Sequence, residues 1–151
     1  MMPRRSLSLL FLAWLMLPAW PLSAQQFELI DQYQIHYSAV STRFLSEDVA
    51  RTHGIQRHPA MALLNVSVLE EREDGSTRPV TASVDGHIGG LAGYDGTPLT
   101  FRSLRIGDTP SQVAVFRIYE DEPMRFDLRV RYDRNAEPAE VSFIQRFYIN
   151  R

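Results

Sequence analysis

Apolar and polar residues alternate along most of the chain after residue 25, with the period of two that is typical of β-strands. The clearest run is MRFDLRVRYD, residues 124–133, in which apolar side chains fill every second position from Met124 to Tyr132. Turn signals such as Asp74-Gly75 separate the other runs, which are FELIDQYQIHYSAV, MALLNVSVL, RPVTASVDGHI, PLTFRSLRIGD, SQVAVFRIY and VSFIQRFYIN. About seven short strands with turns between them predict an all-β fold, an antiparallel, immunoglobulin-like β-sandwich.

One segment, SEDVARTHG, departs from this alternation and has the signals of a short helix after the first predicted strand. Ser46 is a suitable N-cap, Glu47 and Asp48 fall in the first turn, and Gly54 follows the last turn. Acids at the start of a helix and His53 at its end both complement the helix dipole. The segment therefore predicts about two helical turns that connect two strands.

Residues 1–24 have the pattern of a secretory signal peptide. Arg4 and Arg5 precede the apolar run LSLLFLAWLML, and Ala24 stands at a suitable cleavage position. The run is shorter than the ~20 apolar residues that a membrane-spanning helix needs. We therefore expect cleavage near Ala24, no membrane span in the mature chain, and a single domain over residues 25–151.

Composition narrows the classes of function. The chain contains no cysteine, which excludes disulfides, cysteine-based metal sites and thiol nucleophiles. Without Arg4 and Arg5, 14 basic residues stand against 18 acidic ones, a net charge of −4. An acidic balance of this kind argues against nucleic acid as a partner, because binding to it needs a basic surface.

No motif in the sequence indicates catalysis or a metal. His53 and His58 are too far apart to share one helical face, and His36 and His87 lie on the polar faces of separate strands. A catalytic zinc site needs three protein ligands, and nothing local supplies a third. We therefore expect no catalytic residue, metal ligand or cofactor, although carboxylates that converge in space would leave an enzyme open.

A glycine-rich segment, GHIGGLAGYDGTP, holds five of the eight glycines between Gly86 and Gly96. It contains no basic residue to bind a phosphate, and a strand rather than a helix follows it. The segment predicts either a flexible connection or a mobile binding loop, with Leu91 and Tyr94 at its tip.

Arginines cluster on one side of the strand MRFDLRVRYD, and Arg146 with Tyr148 lies on the polar side of the next strand. If the two strands pair, the face suits an anionic partner, because guanidinium groups bind carboxylate or phosphate in a bidentate way. The alternative is a solvated sheet face with cross-strand ion pairs that use acids such as Asp127. The residues predicted to contact a partner are Leu91, Tyr94, Arg125, Arg129, Arg131, Arg146 and Tyr148.

The stretches QIHYSAVSTRFLSEDVARTHGI, ALLNVSVL, LTFRSLRIGD, MRFDLRVRY and FIQRFYIN resemble an uncharacterised family of small exported proteins of Gram-negative bacteria. That family is known only as a domain of unknown function. The resemblance implies a periplasmic β-sandwich and brings no known catalytic residue, ligand or cofactor.

Two hypotheses for function follow. The first is a periplasmic, non-enzymatic binding or accessory protein that engages an envelope protein or peptide, for which strand addition to an exposed sheet edge is a simple mode. The second is a domain that binds a small molecule or glycan, with weak hydrolase activity as an option, in a pocket closed by the loop 86–96. The second hypothesis requires an apolar cleft with a few convergent polar groups.

Overall fold

The computed structural model describes residues 26–91 and 96–150, and strands make up most of this part of the chain. The expected signal peptide and Tyr94 lie outside the described residues. A turn of 3-10 helix, Thr42–Phe44, and the helix α1 (Glu47–Thr52) follow the second strand. The strands are β1 (Gln26–Ile30), β2 (Tyr33–Ser41), β3 (Met61–Glu71), β4 (Thr77–Val80), β5 (Ser83–Gly89), β6 (Thr97–Pro98), β7 (Arg102–Ile106), β8 (Thr109–Arg117), β9 (Glu122–Arg131) and β10 (Ala139–Phe147).

The described strands form two antiparallel sheets that pack face to face. The larger sheet has six strands in the order β1-β2-β3-β8-β7, with β4 paired to the last residues of β3, next to the start of β8. The smaller sheet has four strands in the order β10-β9-β5-β6. The predicted fold class, an all-β antiparallel sandwich, is confirmed.

Three of the predicted strands are each divided in two by the structure. FELIDQYQIHYSAV forms the hairpin β1–β2, RPVTASVDGHI forms β4 and β5, and PLTFRSLRIGD forms β6 and β7. In the last two cases the chain passes from one sheet to the other, at residues 81–82 and at residues 99–101.

The β1–β2 turn reverses which face the alternating residues occupy. Asp31 has a φ of 53°, and Ile30 pairs with Tyr33 across the turn. As a result, Phe27 and Leu29 point away from the core and are 56% and 55% exposed, whereas Tyr33 packs against it. The apolar alternation is continuous in sequence, but the chain direction changes within it.

Aromatic side chains occupy the centre of the core between the sheets. The ring of Phe126 stacks on that of Phe143 with centroids 4.5 Å apart, and Phe116 of the larger sheet meets Phe126 edge-on at 5.3 Å. Each fully buried apolar side chain contributes about 1.5–3 kcal/mol. At the margin of the sandwich, Gln145 donates a 2.9 Å hydrogen bond to the carbonyl of Ala39 and links the two sheets.

The predicted helix is confirmed as α1. The Ser46 hydroxyl accepts a 3.2 Å hydrogen bond from the Val49 N–H, and Gly54 follows the helix with a φ of 63°. The helical segment connects β2 to β3 within the larger sheet and covers part of its outer face, where Ile55 packs on Leu63 and Val113. In residues 26–91 and 96–150, no helix has the length and apolar character to cross a membrane.

Candidate binding cleft

The strand β8 has an unpaired edge over its last residues. β7 pairs with β8 only as far as Val113, which lies opposite Arg102. β8 continues to Arg117, and over this last part it pairs with β3 alone. Among the described residues, the end of β8 therefore has a strand neighbour on one side only.

Alternation along β8 determines which backbone groups face the unpaired edge. The Ile118 N–H donates a 2.9 Å hydrogen bond to the carbonyl of Ala60 on the β3 side. Successive residues of a strand direct their N–H and C=O groups to opposite sides. Ala114 and Phe116 therefore bond to β3, while the N–H and C=O groups of Val115 and Arg117 point away from it.

A cleft of about 370 Å³ lies against this edge. Its opposite wall is the segment 97–100, in which the Leu99 N–H bonds to the carbonyl of Gly86 and so belongs to the smaller sheet. Buried apolar side chains form the floor, and the exposed Tyr119 stands at the rim. The lining residues are Ile88, Gly89, Gly90, Thr97, Pro98, Leu99, Thr100, Val115, Phe116, Arg117, Tyr119, Glu122, Pro123 and Met124.

The cleft combines an apolar interior with polar groups at its margin. Ile88, Phe116 and Met124 are all more than nine-tenths buried, whereas Arg117 and Glu122 are exposed. Ligand sites in proteins are mostly apolar hollows of about 300–1,000 Å³ with a few polar groups that set orientation. The cleft has the size and composition of such a site.

The glycine-rich segment borders the cleft, but it is not a loop throughout. Gly86–Gly89 belong to β5, so the predicted loop 86–96 is shorter at its start. At Gly86 a side chain has no room, because a Cβ there would lie 2.4 Å from the carbonyl oxygen of Asp127. The absence of a side chain at position 86 lets β5 approach β9 closely, and flexibility is not its role. Leu91, just beyond the strand, is exposed.

The four predicted arginines share one face, the outer face of the smaller sheet. β9 pairs with β10, and Arg125, Arg129 and Arg131 share one side of β9. Arg146 faces the same side from β10, opposite Pro123. A groove of about 710 Å³ on this face is lined by Asp85, Gly86, His87, Gly96, Pro98, Asp127, Leu128, Arg129, Glu140 and Ser142. The face therefore carries acids as well as arginines.

Asp127 is the centre of a polar cluster on this face. Its carboxylate accepts hydrogen bonds from the Arg125 guanidinium at 3.1–3.2 Å and from the Ser142 hydroxyl at 2.6 Å. His87 Nε2 lies 3.9 Å from the same carboxylate. The Arg125 hydrogen bonds, and then that of Ser142, hold the pKa of Asp127 below its usual value, so the group is a carboxylate at neutral pH.

Tyr148 directly follows the end of β10. The strand ends at Phe147, whose carbonyl accepts the Asp121 N–H. The chain then turns toward the Glu120 carboxylate, which accepts the N–H groups of the next two residues. Tyr148 is half-buried beside this turn.

The histidines occupy separate places in the fold. His36 stacks on Phe27 with ring centroids 5.2 Å apart on the outer face of the larger sheet, and burial lowers its pKa. His53 caps α1, and His58 accepts the Ala60 N–H at Nδ1. Within residues 26–91 and 96–150, no three His, Cys, Asp or Glu side chains are grouped so that they could hold a metal ion.

Sequence reasoning missed the cleft residues on β8. The segment SQVAVFRIY is apolar on both faces, which signals that something covers each face, but it does not show where the pairing with β7 stops. The edge at Val115 and Arg117 depends on the register of β7, and that register is set by residues from both strands. No local pattern in β8 contains this information.

The described part of the chain is an antiparallel β-sandwich with a cleft at an open strand edge. Comparison with known protein families shows the family to which the chain belongs. A family model described as a domain of unknown function (DUF4426) matches residues 27–150. The chain belongs to this family, and the resemblance seen in the sequence is confirmed. A search of curated proteins gave no match.

Solved structures share the fold. A DUF4426 family protein from Pseudomonas aeruginosa PAO1 has 25% identity and a TM-score of 0.71, over 84% of this chain and 97% of that chain. FetP of uropathogenic Escherichia coli strain F11, expressed recombinantly in the periplasm of E. coli, has 10% identity and a TM-score of 0.59, over 83% and 94%. Copper-reconstituted P19 from Campylobacter jejuni has 9% identity and a TM-score of 0.51, over 82% and 93%. The last two likenesses concern the fold alone.

Proposed function

We propose that this chain is an exported, non-enzymatic binding protein that takes an extended polypeptide segment into the cleft beside β8. The observation that carries the proposal is the unpaired edge at Val115 and Arg117, which lines the cleft. Export is supported by the signal-peptide pattern of residues 1–24.

The backbone of an extended segment can bond to this edge by strand addition, in which main-chain hydrogen bonds give affinity and pockets for alternate side chains give specificity. One such pocket is present, because the cleft floor of Ile88, Phe116 and Met124 is apolar and buried. The segment's other side chains would face outward, beside Arg117. The preferred segment therefore carries an apolar residue that faces the floor.

The edge is short, because Arg102 occupies the position opposite Val113 and blocks further addition along β8. Within β8, two described residues, Val115 and Arg117, offer backbone groups, so few main-chain hydrogen bonds form. At roughly 0.5–1.5 kcal/mol for each net hydrogen bond, the side-chain pocket must supply much of the affinity. We expect a short segment to bind with micromolar affinity, which corresponds to a binding free energy on the order of −8 kcal/mol.

The experiment uses the hydrogen-bonding pattern of β8. Decapeptides are selected by display on the purified protein, and their affinities for two variants are then measured in solution. Val115→Pro removes the N–H that faces the cleft, and it removes no bond to β3, because that N–H points away from β3. Val115→Ala keeps the N–H and serves as the matched control.

We expect Val115→Pro to weaken peptide binding roughly tenfold or more, whereas Val115→Ala retains most of it. Circular dichroism checks that both variants fold, and Arg117→Pro repeats the test at the other free N–H. Equal affinity of the proline and alanine variants would contradict strand addition. That result would favour the second hypothesis, a small molecule or glycan held by the apolar floor alone.

We do not propose copper binding for this chain. The solved structures of a FetP variant and of P19 are described as copper-bound or copper-reconstituted, but their identity to this chain is too low to transfer a site. In the part of the chain that the structure describes, the potential metal-ligating side chains are dispersed. The proposal therefore includes no metal.

A further inference from the structure

We infer that the outer face of the smaller sheet binds an oxyanion group, a carboxylate or a phosphate, at Arg131 with Arg129 as a second donor. This surface is separate from the cleft, so the inference does not depend on the proposed function. It concerns which of the four arginines on the face are available to a ligand.

The four arginines divide into two pairs. The Arg125 guanidinium bonds to Asp127, and Arg146 bonds to the carbonyl of Asp121 at 2.7 Å and to its carboxylate at 3.1 Å. Arg129 and Arg131 make no hydrogen bond or ion pair within residues 26–91 and 96–150. The first pair is held by its own acids, and the second pair has its donors unused.

The register of the strands separates Arg129 from Arg131. Arg129 lies opposite Asp85 on β5 and opposite Glu140 on β10, so two carboxylates reduce the field around it. Arg131 lies opposite Ser83 on β5. On its other side the pairing with β10 has ended, and Pro138 precedes that strand. Arg131 therefore has no carboxylate directly across from it on either neighbouring strand, unlike Arg129.

A depression of about 340 Å³ lies between these side chains. Ser83 supplies a hydroxyl at the Arg131 end, Pro138 supplies an apolar side, and Asp85 stands at the Arg129 end. A guanidinium can donate two parallel hydrogen bonds to a carboxylate or phosphate. Asp85 repels an anion at its own end, so the anion is placed toward Arg131 and Ser83.

The test is a nuclear magnetic resonance titration of the purified protein that follows the Nε–Hε signals of its arginines. Inorganic phosphate is added at constant ionic strength, because exposed charges are screened by salt. We expect saturable shifts for Arg131 and Arg129, with an apparent Kd on the order of millimolar, and little change for Arg125 and Arg146. A second titration with succinate tells whether the site also accepts a carboxylate.

Two variants, each of which removes one positive charge, are compared, and the second serves as the control. Arg131→Gln should weaken phosphate binding roughly tenfold, whereas Arg146→Gln should leave it unchanged. Both positions are exposed, so both variants are expected to fold. Shifts that grow linearly without saturation at all four arginines, or equal losses in the two variants, would overturn the inference.

Discussion

Gly96 lies against the imidazole ring of His87, so close that a Cβ on Gly96 would come within 2.4 Å of His87 Cδ2. The contact joins the end of the glycine-rich segment to the strand β5 from which that segment departs. It also fixes where the chain enters β6, and β6 is part of the wall of the cleft. A small residue at position 96 therefore has a packing role beside the candidate site.

Gly96→Ala is expected to lower the free energy of unfolding by about 1 kcal/mol, because the added methyl group must displace the His87 ring. The ring is half-exposed and can rotate, which limits the loss. Urea unfolding of Gly96→Ala, His87→Ala and the double variant measures the coupling. In the His87→Ala background the Gly96→Ala change should cost nothing. An equal loss in both backgrounds would show that the methyl group clashes with something else.

Gly86→Ala is expected to cost more, about 2–3 kcal/mol, because its methyl group meets main chain. The Cβ would lie 2.4 Å from the Asp127 carbonyl oxygen and 2.8 Å from Leu128 Cδ2. Two paired strands cannot separate as easily as one ring can rotate. The same urea experiment compares the two glycines, and a Gly86→Ala variant as stable as Gly96→Ala would argue against the observed approach of β5 to β9.

The stability of the protein should depend on pH through His36, whose pKa burial lowers from its ordinary value of 6.5. The unfolded chain then binds a proton at a higher pH than the folded chain does. The free energy of unfolding attributable to His36 therefore falls as the pH decreases from about 6.5 to the lowered pKa, and it is constant below that.

The measurement is the difference in unfolding free energy between the wild type and His36→Gln at a series of pH values. The other titrating groups are common to both proteins and cancel. We expect the advantage of the wild type to shrink as the pH drops below 6.5. A difference that stays constant, or that grows on acidification, would contradict the burial effect at His36.

Much of the fold could be predicted because each strand contains its own signal. The alternation in β9 predicts correctly that Phe126 faces the core and that Arg125 faces outward. The capping pattern from Ser46 to Gly54 likewise predicts α1, since both signals lie within a few residues. The arginine face follows from the same alternation once β9 and β10 are paired.

Features that depend on distant residues could not be predicted. Phe27 continues the apolar alternation of Tyr33, yet the turn at Asp31 places the two residues on opposite faces. The open edge at Val115 exists because β7 begins only at Arg102, opposite Val113, which is a matter of register between strands. The division of the arginines into bonded and unused pairs likewise depends on acids from other elements, such as Asp121.

Amide hydrogen exchange along the end of β8 tests whether Val115 and Arg117 form an open edge that binds an extended peptide. In the free protein, we expect strong protection at Ala114 and Phe116, which bond to β3, and fast exchange at Val115 and Arg117. A peptide selected on the protein should then slow exchange at Val115 and Arg117. Equal protection of all four amides in the free protein, or peptide binding that leaves Val115 and Arg117 unchanged, would contradict it.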